Sequence, residues 1–214
     1  MYWEIPKLWK NRDVVILGGG VSLPGLLKGR AFYKTKVIGV NSAFLFGDWV
    51  NICYFGDARF WFWNKEELEK YRGLLVSANR APYILGSVKG ILKIKVVKMK
   101  TRLGICPDPG MIYFNRNSGA GAINLAYHLG CRRVYLVGFD MRCIEGKKNW
   151  RKHPGTKHGG SSNKMTDFFS FKEAFRVVAK DAKRLGLEVF NATPGSALEA
   201  FPIIDFEELY ASIE

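Results

Sequence analysis

The chain has 214 residues, enough for one sizeable α/β core, and no Pro- or Ser-rich stretch divides it, so residues 1–214 are expected to form a single domain. Lys and Arg number 33 against 19 Asp and Glu, and the formal charge of +14 points to anionic partners: nucleotides, nucleotide-sugars, nucleic acid or acidic glycans. No apolar run approaches the ~20 residues of a membrane span. The N-terminus lacks the regions of a signal peptide, and Cys53, Cys106, Cys131 and Cys143 form no C-x-x-C pair, so a soluble cytoplasmic protein with reduced, partly buried thiols is expected.

Taken in chain order, residues 14–17 form an apolar run that empties directly into Gly18, Gly19, Gly20, Val21 and Ser22 and then a short helical stretch. A glycine turn between strand and helix lets backbone N–H groups approach a phosphate, with the helix start adding positive potential. Further short apolar runs at 37–40, 52–55, 74–76, 134–137 and 187–190 read as buried strands of a mostly parallel sheet. Residues 91–100 begin with alternation and expose lysines, the pattern of an edge strand guarded against pairing. Between the runs, 118–129 and 169–185 predict helices; in the second, Phe168, Phe171, Phe175, Val178, Ala182 and Leu185 share a face and Gly186 stops the helix. Strands alternating with helices predict a doubly wound α/β sheet whose ligand sits beyond the carboxyl ends of the strands.

Polar residues follow five of these runs: Ser22, Asn41 with Ser42, Asp57, Asp140, and Asn191 with Thr193. Asn, Asp and Ser favour turns and caps, which explains any one of them; the set as a whole points to a shared ligand site. NAD is not expected, because Leu23 occupies the third glycine position and the second strand ends in Asn41 rather than an acidic residue; no P-loop sequence occurs either. The amide of Asn41 suits a base or ribose. Ser118 is expected to cap a helix whose first turn, with Gly119, offers amides to a phosphate. The aromatics 60–63 suit either base stacking or a doubly buried helix.

The segment 142–165 is too long for a simple connection and carries Lys147, Lys148, Lys152, Lys157, Lys164, Arg142 and Arg151 against Glu145 alone, which predicts a long basic lid loop. Lys148, Arg151 and Lys152 are candidate phosphate contacts, and His153 and His158 are candidate general bases. Asp57 and Asp140 are candidate Mg²⁺ ligands if the sheet brings them together.

The turn at 18–23, the Gly-Val-Asn strand end at 39–41, and the Ser-Gly helix running into Leu-Gly and Tyr-Leu-Val-Gly-Phe-Asp at 118–140 resemble the Rossmann-like superfamily that contains bacterial lipooligosaccharide sialyltransferases and archaeal 6-hydroxymethylpterin diphosphokinase-like proteins. Phe-Gly-Asp at 55–57 and Asn-Ala-Thr-Pro-Gly-Ser at 191–196 resemble phage-encoded members, which would place the protein in a host cytoplasm. The resemblance implies that Gly18, Gly20, Ser22 and Asn41 hold a cytidine nucleotide, that Ser118 and Gly119 lie against the donor, and that His153 or His158 is the base. The family's leaving-phosphate tyrosines are replaced by Trp150 and several cations. The expected function is nucleotide-dependent glycosyl transfer to an acceptor hydroxyl. The alternatives are Mg²⁺-dependent pyrophosphoryl transfer from ATP, with Asp57 and Asp140 on the metal, and non-catalytic binding of nucleotides or nucleic acid.

Overall fold

The computed structural model describes residues 2–78, 85, 88–97, 103–151 and 166–214. The apolar runs form β1 (Asp13–Leu17), β2 (Lys36–Val40), β3 (Ile52–Phe55), β4 (Leu74–Ser77), β8 (Arg133–Val137) and β9 (Glu188–Asn191), each within one residue of its expected bounds. With β5 (Ile91–Lys93) they build one seven-stranded sheet in the order β5-β4-β3-β2-β1-β8-β9, every pairing parallel. Parallel strands covered on both faces have no polar side, which is why they read as unbroken runs of Val, Ile and Leu. The fold is α/β and Rossmann-like, with β1 between β2 and β8 in the sheet interior.

The lysine-bearing segment divides. β5 is the sheet edge, as its lysines predict, but Ile94 is buried and turns the chain into β6 (Lys95–Val97), which pairs with β7 (Met111–Tyr113) in a separate two-stranded sheet. Residues 98–100 lie outside the described residues.

Helices α1 (Leu23–Leu27) and α6 (Phe206–Ile213) cover one face of the sheet, packing Leu23, Leu27, Phe206 and Leu209 on Val15, Leu17 and Val37. Helices α4 (Ser118–His128) and α5 (Thr166–Arg184) cover the other, where Ile123, Leu125, Phe175 and Val178 meet Ile16, Ile38 and Leu136. Burying each such side chain contributes roughly 1.5–3 kcal/mol. Helices α2 (Ala58–Trp63) and α3 (Lys65–Lys70) enclose a third apolar cluster beside β3 and β4.

Helix α4 is the hub. A side chain on Gly119 would meet the Phe139 ring at 2.6 Å, and one on Gly121 would overlap the Tyr54 hydroxyl, so both glycines let the helix seat directly on the strands. Asn124 and Asn115 anchor it to the chain leading into β7. Asn124 exchanges hydrogen bonds with both backbone groups of Cys106 at 2.9 and 3.1 Å, and Asn115 does the same with Gly104 at 2.8 Å each. Both asparagines are fully buried.

Cys53, Cys106 and Cys131 are buried and Cys143 is exposed, with no disulfide among them. Burial pushes the Cys53 and Cys131 thiols up, away from nucleophilic character. No helix among the described residues is long and apolar enough to cross a membrane.

Candidate functional site

Because the chain leaves β1 for β2 on one side and reaches β8 on the other, the gap between the ends of β1 and β8 is a topological switch point, the place where parallel α/β sheets bind ligands. A cavity of about 370 Å³ opens there. Gly18, Gly19 and Gly20 form one wall, Ser118 and Gly119 another, and Gly138 to Met141 the floor. Asn41 and Asp57 reach it from the ends of β2 and β3, and Lys148, Arg59 and Arg116 bring three cations. Five chain segments far apart in sequence thus meet at one edge.

The glycine turn is not the open amide cradle its sequence suggests. Gly18 N–H donates to the Val137 carbonyl and Gly20 N–H to the Gly138 carbonyl, both at 2.8 Å, while Ser22 N–H donates to Asp140 Oδ2 at 3.2 Å. Gly19 alone of the three glycines has an amide with no acceptor among the described residues, and its carbonyl accepts from Trp150 N–H at 3.1 Å. A side chain at Gly20 would overlap Asp140 Oδ2 and lie 2.5 Å from the Gly138 carbonyl oxygen. These glycines therefore serve the close approach of the β1 and β8 turns to one another.

The start of α4 has the opposite character. Ser118 was expected to be the cap, but Asn117 takes that role: its backbone is extended at φ −148° and its Oδ1 accepts from Ala120 N–H at 2.8 Å. Ser118 is thereby drawn into the first turn. The N–H groups of Ser118 and Gly119 have no acceptor among the described residues and border the cavity, as the first amides of a helix do when nothing caps them. Just upstream, Asn115 and Arg116 hold φ of 46° and 59°, a sparsely populated region that the Asn115–Gly104 exchange maintains. That kink presents Arg116 at the cavity mouth, where it also pairs with Glu173 at 3.1 Å.

Asp140 is 2 % exposed. Its Oδ2 takes the Ser22 amide, and its Oδ1 is buried without a hydrogen-bond partner. The loop after β9 braces this turn from behind. Thr193 Oγ1 accepts from Phe139 N–H at 2.9 Å, Ser196 Oγ donates to the Phe139 carbonyl at 2.6 Å, and Ala197 N–H donates to the Asp140 carbonyl at 2.9 Å. Asn191 in turn accepts from Thr193 N–H at 3.1 Å. Asn191 and Thr193 were expected at the ligand edge with the other strand-end residues; they are fully buried and do not line the cavity.

The remaining candidates separate as follows. Asn41 sits at φ 52° and lines the cavity wall. Ser22 and Ser42 do not line the cavity, and their hydroxyls are buried without partners. Asp57 caps α2 through Arg59 N–H at 2.9 Å, and both its oxygens accept from the Arg59 guanidinium at 2.6 to 3.1 Å. Asp57 and Asp140 do border the same cavity, yet no group of three or more His, Cys, Asp or Glu suited to a metal occurs among the described residues. Arg151 lies away from the cavity in an ion pair with Glu67 at 3.1 Å, which holds the Glu67 carboxyl below its ordinary range together with a backbone hydrogen bond, the larger cause.

The basic segment begins docked. Ile144 and Lys147 exchange backbone hydrogen bonds at 3.0 and 2.9 Å, and the Trp150 ring packs 4.9 Å from that of Phe46. Lys152, His153 and His158 lie outside the described residues. Phe168 and Phe171, expected on the core face of α5, line the cavity, with Lys148 Nζ 5.4 Å from the Phe168 ring. Of the aromatics at 60–63, Phe60 and Trp61 are buried in the core, Phe60 and Trp63 border the cavity, and Arg59 lies 5.4 Å over Trp63.

A second cavity of about 340 Å³ adjoins the first across Asp57, Arg59, Asn117 and Ser118. Its far wall is Tyr54, Tyr113 and Phe114. Sequence reading missed this aromatic wall because β7 is only three residues long and carries no periodicity. Burial pushes the Tyr54 hydroxyl well above its ordinary range, so it stays protonated.

No protein-family model and no curated protein sequence matches the chain. Among solved structures, the sialyltransferase CstII from Campylobacter jejuni, in complex with the substrate analogue cytidine-5'-monophosphate, aligns with a TM-score of 0.56 at 15% identity, over 91% of this chain and 85% of its own. That likeness shows a shared fold. A short chain dehydrogenase from Mycobacterium smegmatis aligns over 100% of this chain and 88% of its own at 12% identity, but with a TM-score of 0.28 it carries no argument.

Proposed function

We propose that the protein is a nucleotide-dependent transferase that moves a glycosyl group from a nucleotide-sugar donor to an acceptor hydroxyl. The observation that carries this reading is the start of α4, where two unengaged amides and three cations border a cavity at the switch point of a fold shared with a sialyltransferase that binds cytidine-5'-monophosphate. The donor phosphate sits against Ser118 and Gly119, held by Arg59, Arg116 and Lys148. The acceptor oxygen attacks the anomeric carbon, the bond from that carbon to the phosphate oxygen breaks, and the departing charge falls on the helix start. His153 or His158 takes the acceptor proton. Trp63 and Phe168 offer faces for the base, and Asn41 an amide for the base or ribose.

Pyrophosphoryl transfer from ATP has one observation in its favour, the shared cavity of Asp57 and Asp140. The two-point grip of Arg59 on Asp57 counts against it, since a metal would have to displace that pair. A thermal-shift panel of nucleotides with and without Mg²⁺, followed by hydrolysis assays of cytidine-activated sugars, tests the proposal. Stabilisation by cytidine nucleotides without metal, with release of the nucleotide on adding an acceptor, is the expected result. Stabilisation by ATP only with Mg²⁺ would replace glycosyl transfer by the diphosphokinase reading, and tight nucleotide or nucleic-acid binding without turnover would leave a binding protein.

A further inference from the structure

Asp140 sets a problem that the phosphate site does not solve. A carboxylate 2 % exposed lines the cavity with one oxygen engaged by Ser22 N–H and the other, Oδ1, buried with no partner. Such an oxygen carries a desolvation penalty unless something donates to it. The turn that bears it cannot swing to find a donor, because Thr193, Ser196 and Ala197 hold its backbone on three sides.

The chemistry of the missing donor is narrow. A phosphate is an acceptor and shares the charge of a carboxylate, so it belongs at α4. A divalent cation would want further carboxylate ligands, and Asp57, the one other carboxylate lining this cavity among the described residues, has both oxygens on Arg59. The Ser22 hydroxyl, itself buried without a partner, is not bonded to Oδ1, and what remains is a neutral O–H or N–H group of a ligand whose phosphate lies across the same cavity. The hydroxyls of a ribose are the donors attached closest to a nucleotide 5'-phosphate.

We propose that Asp140 reads the sugar of the bound nucleotide: its Oδ1 accepts a hydrogen bond from a ribose hydroxyl and makes the site selective for ribonucleotides over their deoxy counterparts. This rests on the nucleotide reading above. It assigns to the end of β8 a diol-reading carboxylate that dinucleotide-binding sheets carry at the end of the second strand, where this chain has Asn41.

The test is calorimetric titration of the wild type and Asp140→Asn with CMP, 2'-deoxy-CMP, 3'-deoxy-CMP and UMP. The asparagine oxygen retains an acceptor for Ser22 N–H while the ligand-facing acceptor becomes a donor, so the fold is preserved and only the reading is lost. The wild type should bind CMP at least about tenfold more tightly than one of the deoxy analogues, as a hydrogen bond to a charged group implies. Asp140→Asn should weaken CMP by a similar factor and bind CMP and that analogue alike. Retained discrimination in the variant, with all ligands weakened equally, would make Asp140 a structural brace and overturn the proposal. Loss of discrimination between CMP and UMP instead would move the donor to the base amino group, which also overturns it. A wild type that binds CMP without sensing either hydroxyl defeats this inference alone, whereas a wild type that binds none of the four defeats the cytidine-nucleotide reading and this inference with it.

Discussion

Two glycine-bearing turns face each other across the cavity, and they use the same residue for different ends. At 18–20 the amides of Gly18 and Gly20 are tied to carbonyls of the β8 turn, and the absent side chains make room for Gly138 and Asp140. At the start of α4, Gly119 makes room for the Phe139 ring, but the amides of Ser118 and Gly119 have no acceptor among the described residues. One turn is a joint and the other is a socket. A glycine-rich strand end is a phosphate site only when its N–H groups are unclaimed, and that is settled by the neighbouring strand rather than by the turn itself.

The strongest way to break this comparison is Gly20→Val. If the turn is a joint, the new side chain collides with Asp140 and the Gly138 carbonyl, and stability falls by about 3 kcal/mol or more in chemical denaturation, as for other overpacked sites. If the turn were an open cradle, the variant would fold normally and lose only nucleotide affinity. Gly19→Ala separates the two further. Its added methyl meets only the Asn149 side chain, at 3.1 Å, so a loss below about 1 kcal/mol is expected.

Ser118→Pro probes the socket. Proline is tolerated at the first position of a helix, and the extended Asn117 that precedes it already has the backbone that proline requires. The substitution removes one N–H from the cavity and little else. Nucleotide affinity should drop by about 1.5 kcal/mol or more, while the melting temperature stays within a few degrees. Ser118→Ala, which keeps the amide, serves as the control and should bind nearly as the wild type does. Equal losses in both would assign the contact to the hydroxyl and remove the amide from the account.

The sheet was legible because buried parallel strands have no polar face to interrupt them, so residues 14–17, 37–40 and 134–137 announce themselves as short apolar runs. Strands β6 and β7 were not, since three residues carry no period. Within the site, Asn41, Asp57 and Asp140 could be placed at strand ends because a parallel sheet puts all its carboxyl ends on one edge. What Asp140 does there could not be read, because its partner is remote in sequence: Ser22 N–H meets it across 118 positions. The same blindness grouped Asn191 and Thr193 with the ligand edge, when their partners Leu136 and Phe139 make them a brace. Asn115 and Asn124, which hold α4 in place, gave no signal at all, as a buried asparagine paired with a backbone segment looks like any other turn residue.

The smallest effect concerns the far end of α4, and it asks whether the helix is held as firmly at its last turn as its exposed first turn requires. His128 Nε2 lies 3.0 Å from the Met111 carbonyl and 3.0 Å from Asn124 Nδ2. Burial holds its pKa below the ordinary value of about 6.5, an effect larger than the opposing pull of the Met111 carbonyl and Asp108. The unfolded chain therefore takes up this proton before the folded one does. Between the two values the unfolded state binds more protons, so the contribution of His128 is neutral above pH ~6.5 and turns destabilising as pH falls through that value, levelling off once the folded histidine is also charged. His128→Gln keeps a hydrogen-bonding side chain without the titration. Melting temperatures recorded from pH 7.5 to 5.5, a window above most carboxylate titration, should fall less steeply for the variant than for the wild type. His153 and His158 are present in both proteins and cancel in the difference. Parallel curves would mean that His128 charges freely in the folded state, and that the contact of α4 with β7 yields to a proton instead of resisting it.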